Sequence, residues 1–191
     1  MPLRNLFKSD PVRDAAHDLY VAAVEQARRP GFYLHAGVPD STEGRFDMVV
    51  LHAFLAIHRL KSEDGHPKAV AQHLYNVMFD DMDRSLREMG VGDFGIGHKV
   101  NRLSKAFFGR VQAYETAIAD ADDDALEEAL GRNLFGTVQP SPEHLTAMAA
   151  YVRQSIGRLR DQPTDAVVGG KPLFGDVPDG SPGTRATDEA D

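Results

Sequence analysis

An amphipathic pattern runs through residues 67–90, which read PKAVAQHLYNVMFDDMDRSLREMG. Apolar residues recur every three or four positions, from Val70 and Leu74 through to Met89, and this spacing keeps side chains on one face of an α-helix. Pro67 suits the first turn of a helix, and Gly90 suits its end. We therefore predict one long helix here, with its apolar face turned toward a core.

Helical spacing also dominates the sequence on both sides of this segment. Candidate helix starts are Ser9-Asp10-Pro11, Asp40 with Glu43 three residues later, and Ser141-Pro142. The four glycines in residues 90–97 predict a turn before the next amphipathic helix, and Gly136 is expected to end a later, shorter one. A sustained two-residue alternation, which would indicate β-strands, does not occur in the sequence. We expect an all-α protein with a single compact domain of about six helices over residues 1–162.

The composition changes after residue 162. Residues 163–191 are rich in Pro, Gly, Asp and Thr, and their formal net charge of about −4 is half of the −8 carried by the whole chain. We expect this segment to be a flexible acidic tail.

Charge and composition exclude several classes of protein. The net charge of −8 opposes a phosphate backbone, so nucleic acid is not an expected partner. The absence of cysteine excludes disulfides, cysteine-ligated zinc and iron–sulfur clusters. Residues 48–57 form the most apolar run, which is much shorter than the roughly 20 residues of a membrane span, and residues 1–13 lack the apolar core of a secretory signal. We expect a cytoplasmic protein that is peripheral to a membrane at most.

Motifs for catalysis or cofactor binding are weak. Residues 90–95, GVGDFG, match the letters of a dinucleotide-binding fingerprint, but they follow a predicted helix, whereas that motif follows a strand. The eight histidines lack metal-ligand spacing, and His52, His58 and His73 lie in or beside apolar stripes, where packed core histidines are more frequent. We predict no catalytic residue, no cofactor and no metal site. The alternative is a helical metal- or small-ligand-binding protein, or an enzyme, that uses the histidines with Asp80 and Asp83.

The acidic residues of the long helix also have a simpler interpretation. Asp80 stands four residues before Arg84, and Asp83 four before Arg87, so each acid can form an ion pair along the helix. A solvated, salt-bridged face is one reading of this pattern, and a charged docking surface is the other.

Residues 78–93, MFDDMDRSLREMGVGD, followed by residues 106–110, AFFGR, and by Ala113-Tyr114, make a distinctive combination. Together with His52-Ala53-Phe54-Leu55 upstream, they resemble the ubiquinol–cytochrome c chaperone family over residues 32–118. The resemblance implies a non-enzymatic assembly chaperone that binds newly made cytochrome b, or a related membrane subunit, during biogenesis of the ubiquinol–cytochrome c reductase complex. It also implies a possible small partner chaperone and, for a bacterial-type member, action at the cytoplasmic face of the inner membrane.

A holding function needs an apolar surface with a charged rim. We expect the long helix and the helix after it to supply both, although the same Met and Phe stripe is what an ordinary core would show. The candidate partner-binding residues are Phe79, Asp80, Met82, Asp83, Arg84, Arg87, Met89, Asp93, Lys99, Phe107, Phe108 and Arg110. Arg110 is expected to pair with Asp80, with Asp83 or with a partner, an internal pair being favoured. Gly109 is expected to mark a close helix approach or a kink.

Overall fold

The computed structural model describes residues 10–88, 93–119, 123–136 and 138–180. Over these residues the chain forms eight helices and no strand, which confirms the all-α prediction. The helices are α1 (Pro11–Ala27), α2 (Gly31–Leu34), α3 (Thr42–Leu60), α4 (His66–Glu88), α5 (Asp93–Ala119), α6 (Asp123–Leu134), α7 (Pro142–Asp161) and α8 (Thr164–Val168). Within this part of the chain, every helix is too short or too polar to cross a bilayer.

Side-chain caps begin α1, α3 and α7, and two of the three predicted caps are correct. The Asp10 carboxylate accepts hydrogen bonds from the backbone N–H groups of the first turn of α1, and the Ser141 hydroxyl accepts one in the first turn of α7. The cap predicted at Asp40 is wrong by one residue. Ser41 caps α3 by accepting from the Gly44 N–H at 3.1 Å, whereas Asp40 forms a 2.6 Å ion pair with Arg45.

The glycine-rich corner is more helical than predicted. Because α5 already begins at Asp93, Gly95 and Gly97 lie inside a helix, and the prediction of a turn up to residue 97 is wrong; residues 90–92 lie outside the described residues. Gly136, by contrast, has a φ of +58° just after α6, the left-handed conformation that a glycine adopts readily at a helix end.

Helix α3 forms the centre of the fold. Almost every residue from Asp47 to Ala56 is buried, because α1, α4, α6 and α7 all pack against this helix. Side-chain contacts join α5 to α3: Asp47 pairs with Arg110, the Phe54 ring contacts Tyr114 and His58 contacts Glu115. A smaller apolar cluster of Val50, Ala53, Met78 and Phe107 joins α3, α4 and α5.

The packed region extends beyond the boundary predicted at residue 162. Residues 164–168 form α8, whose Val167 is fully buried, and Phe174 is only 7% exposed in the main core. The prediction of a flexible tail is therefore wrong for residues 163–180. Residues 171–178, which we call the C-terminal strap, run as non-helical chain along α7.

Candidate functional site

Four aromatic rings gather where α4 and α5 meet. Tyr75 lies 4.4 Å from Phe79, centroid to centroid, and stacks on Phe108 at 5.3 Å, while Phe79 meets Phe107 edge to face at 5.9 Å. The Tyr75 hydroxyl also forms a 2.7 Å hydrogen bond with Ser104 of α5. These contacts hold the two helices in one register, and we call their outward side the α4–α5 surface.

The rings differ greatly in exposure. Phe107 is 3% exposed and belongs to the small cluster against α3, whereas its neighbour Phe108 is 57% exposed. Consecutive residues of a helix point in different directions, so one faces the core and the other faces outward. Among the side chains that the structure describes on α4 and α5, Phe108 is the one large apolar residue that is mostly exposed, and it rests on further aromatic rings.

The predicted apolar groove is therefore only partly present. Met82 and Phe107 are both buried, so neither side chain offers surface to a partner, and their expected contribution to a groove is wrong. Phe79 is half-buried and Phe108 is exposed, so these two remain available. Met89 lies outside the described residues. Asp93 and Lys99 fall on α5, where the structure describes their backbone alone.

Helix α4 also carries four of the predicted charged residues. Asp83 and Arg87 form the predicted ion pair at 2.7 Å, and Asp80 and Arg84 are exposed one turn earlier. The latter two line a shallow pocket of about 110 Å³ between α4 and α1. At its edge the Tyr20 hydroxyl donates to Asp81 at 2.9 Å, and burial followed by this hydrogen bond raises the pKa of Tyr20, so the phenol stays neutral.

Arg110 makes the expected internal pair, but with a different acid. Its guanidinium lies 2.8 Å from Asp47 of α3, with the side chains 20% and 10% exposed, so the predicted partners Asp80 and Asp83 are wrong. Burial raises the pKa of Asp47 to about 6, and the nearby guanidinium offsets only part of that rise. Sequence reasoning missed Asp47, because a single acid in an apolar helix gives no signal of its partner.

Gly109 does not mark a close approach of helices. None of the described atoms that could pack against it lies within 4 Å of the position that a Cβ would take. The residue is exposed beside Phe108, and packing within the described chain gives no reason for a glycine there.

Two of the histidines in apolar stripes, His52 and His58, make structural contacts. His52 is fully buried; its Nδ1–H donates to the Met48 carbonyl at 2.7 Å, and its Nε2 accepts from the Tyr151 hydroxyl at 2.6 Å. Burial lowers the pKa of His52 to about 4, which keeps the ring neutral and confirms the prediction of a packed core histidine. His58 pairs with Glu115 at 3.0 Å. Among the described residues, no three His, Asp or Glu side chains gather as a metal site would require, so the geometry does not favour the metal-binding alternative.

The chain is similar to known proteins over most of its length. The sequence model of the family described as Ubiquinol-cytochrome C chaperone matches residues 34–174. The human protein named Ubiquinol-cytochrome c reductase complex assembly factor 1 is 27% identical over 148 residues, which are 78% of this chain and 49% of the human protein. The Xenopus laevis protein named Ubiquinol-cytochrome-c reductase complex assembly factor 1 is 24% identical over 145 residues, which are 76% of this chain and 72% of that protein.

A solved structure is similar as well. The crystal structure of the Cbp3 homolog from Brucella abortus matches with a TM-score of 0.78 and 36% sequence identity, covering 87% of this chain and 92% of that one. The chain spans about half the length of the human and mouse relatives, so their remaining segments have no counterpart in these matches.

Proposed function

Because this chain belongs to the ubiquinol-cytochrome C chaperone family, we propose that it is a non-enzymatic assembly factor that holds a newly made subunit of the ubiquinol–cytochrome c reductase complex. The proposed client is cytochrome b, bound at the α4–α5 surface before it joins the complex. A small partner chaperone is proposed to assist, and the proposed place of action is the cytoplasmic face of the inner membrane. The observation that carries the proposal is the exposed Phe108 ring, which stacks on Tyr75.

The physical task explains why such a surface is suitable. A newly made membrane subunit presents apolar helices that must be covered reversibly until they pack against their neighbours. Phe108 supplies an aromatic anchor that is already fixed by Tyr75, so little conformational entropy is lost when a client binds. The exposed charges of α4 form a polar rim, and rim charges mainly govern the rate and specificity of association.

The interior provides the rigidity that an anchor needs. Phe107 and Met78 pack against α3, and the Arg110–Asp47 pair joins α5 to the same helix. The α4–α5 surface therefore rests on a fixed scaffold. Because Phe108 itself is mostly exposed, we expect its substitution to change client binding without changing the fold.

Co-purification tests this function. A tagged Phe108→Ser variant should recover about tenfold less cytochrome b than the wild type from cells that assemble the complex, since a central aromatic contact is typically worth more than 1.4 kcal/mol. Leu34→Ser is a matched control, because Leu34 is 73% exposed but lies on α2, and it should recover normal amounts. If the wild type recovers no subunit of the complex, and complex levels stay normal after deletion, the proposal is wrong.

A further inference from the structure

One face of α7 is polar where a core-facing helix would usually be apolar. Tyr151, Gln154, Ser155, Arg158 and Gln162 recur at helical spacing along and just beyond this helix, and all five side chains bond to the C-terminal strap or to groups that touch it. Ser155 is fully buried and Gln162 is 91% buried, so these polar groups are built into the interior for a defined partner.

The face binds the strap mainly through its backbone. Gln162 donates to the Lys171 carbonyl at 2.6 Å and accepts from the Leu173 N–H at 2.9 Å, as a neighbouring β-strand would. The Ser155 hydroxyl accepts from the Gly175 N–H at 2.8 Å.

The same pattern continues at the next positions. Arg158 donates to the Phe174 carbonyl at 3.1 Å, and the Gln154 side-chain oxygen accepts from the Asp176 N–H at 2.5 Å. These hydrogen bonds hold backbone groups of the strap from Lys171 to Asp176, and they do not depend on which side chains the strap carries.

Three strap residues supply sequence specificity. The Phe174 ring meets His52 edge to face at 5.0 Å and is the anchor. A Cβ at position 175 would lie 2.9 Å from the Tyr151 carbonyl oxygen, so only glycine fits without movement. The Asp176 carboxylate binds both terminal nitrogens of Arg158, at 2.9 and 2.5 Å.

We propose that this groove, formed by α1 and α7, is a peptide-binding site for an extended segment of the pattern aromatic–glycine–acid, and that a partner polypeptide carrying such a segment exchanges with the strap. Leu173 and Asp176 are exposed, so the strap resembles a docked peptide whose only deeply buried side chain is that of Phe174. Residues 163–170 tether it beside the groove, and a short tether gives the strap an effective concentration in the millimolar range. The strap is therefore a built-in competitor, and the groove uses helices other than those of the α4–α5 surface.

Peptide binding to the full chain tests this proposal. The probe is a fluorescent peptide with the sequence of residues 171–180, KPLFGDVPDG. The full chain carrying Phe174→Ala has lost its own anchor, so it should bind the probe saturably and about tenfold or more tightly than the wild type, in which the tethered strap competes. A probe with alanine in place of phenylalanine should bind about tenfold more weakly.

Swapping the charges of the Arg158–Asp176 pair tests whether the probe binds in the same register as the strap. Adding Arg158→Glu to the Phe174→Ala chain should abolish binding of the original probe, and a probe with arginine at the position of Asp176 should restore it. Circular dichroism verifies that the variants remain helical, and Gln154→Ala offers a milder second variant if Arg158→Glu does not fold. Equal binding to the wild type and to Phe174→Ala, or no binding to a folded Phe174→Ala chain, would overturn the proposal.

Discussion

Replacing Arg110 by methionine should lower the free energy of unfolding by about 3 kcal/mol at neutral pH, because it leaves the Asp47 carboxylate buried without its cation. The two side chains are mostly buried and lie 2.8 Å apart. Removing one partner of a fully buried pair typically costs about 3–5 kcal/mol, and the lower end applies here because both groups keep some contact with water. Methionine preserves most of the side-chain volume, so the loss measures the charge.

The size of this loss should depend on pH. Burial raises the pKa of Asp47 to about 6 even beside Arg110, and without the guanidinium the pKa rises further. An acid with a raised pKa binds its proton more tightly in the folded state, so its stabilising contribution is present at low pH and lost as pH rises through the folded pKa. The loss in Arg110→Met should therefore grow from under about 1 kcal/mol at pH 4.5 to about 3 kcal/mol at pH 8.

Urea unfolding followed by far-ultraviolet circular dichroism measures both quantities. The control is the double variant Asp47→Asn with Arg110→Met, which removes both charges and should recover most of the stability at pH 8. A loss that is the same at pH 4.5 and pH 8, or a double variant no more stable than the single one, would refute the reasoning. Arg110 would then act through the packing of its aliphatic stem.

Further predictions concern the surface and the core. Gly109→Ala should raise the free energy of unfolding by about 0.5–1 kcal/mol in thermal melts, because alanine favours the helix and nothing described opposes its Cβ. Arg84→Glu with Arg87→Glu should change stability by less than about 1 kcal/mol, since both residues are exposed, while reducing client recovery in the co-purification assay. The neutral, buried His52 should make the protein lose about 3 kcal/mol of stability as pH falls from 6.5 to 4, and His52→Gln should remove this part of the urea pH profile.

The helices could be predicted from the sequence because their signals are local. Apolar spacing and capping residues act within one or two turns, and they located α1, α4 and α7. The same spacing contained a signal about the site that the prediction did not use. The apolar stripe of α5 includes Phe107 and Val111 and leaves out Phe108, so periodicity already indicated which phenylalanine faces outward.

The strap could not be predicted, for a physical reason. Its residues are Pro, Gly, Asp and a few apolar side chains, a composition that cannot form a core by itself. It is ordered by side-chain to backbone hydrogen bonds from Gln162 and Ser155, and such bonds leave no apolar period in either segment. The pairing of Asp47 with Arg110 is hidden in the same way, because it depends on which helices become neighbours.

Asp47 and His52 lie on the same central helix and have opposite effects on stability as pH changes. Between about pH 6 and 4, acidification protonates Asp47 in the folded state, and this proton uptake favours folding. Over the same range His52 gains a proton only in the unfolded state, because the buried ring cannot accept one, and this proton uptake favours unfolding. The two contributions oppose each other, so the wild type should show a flatter pH profile than His52 alone would give. Asp47→Asn should therefore steepen the loss of stability in acid, and His52→Gln should make that loss smaller.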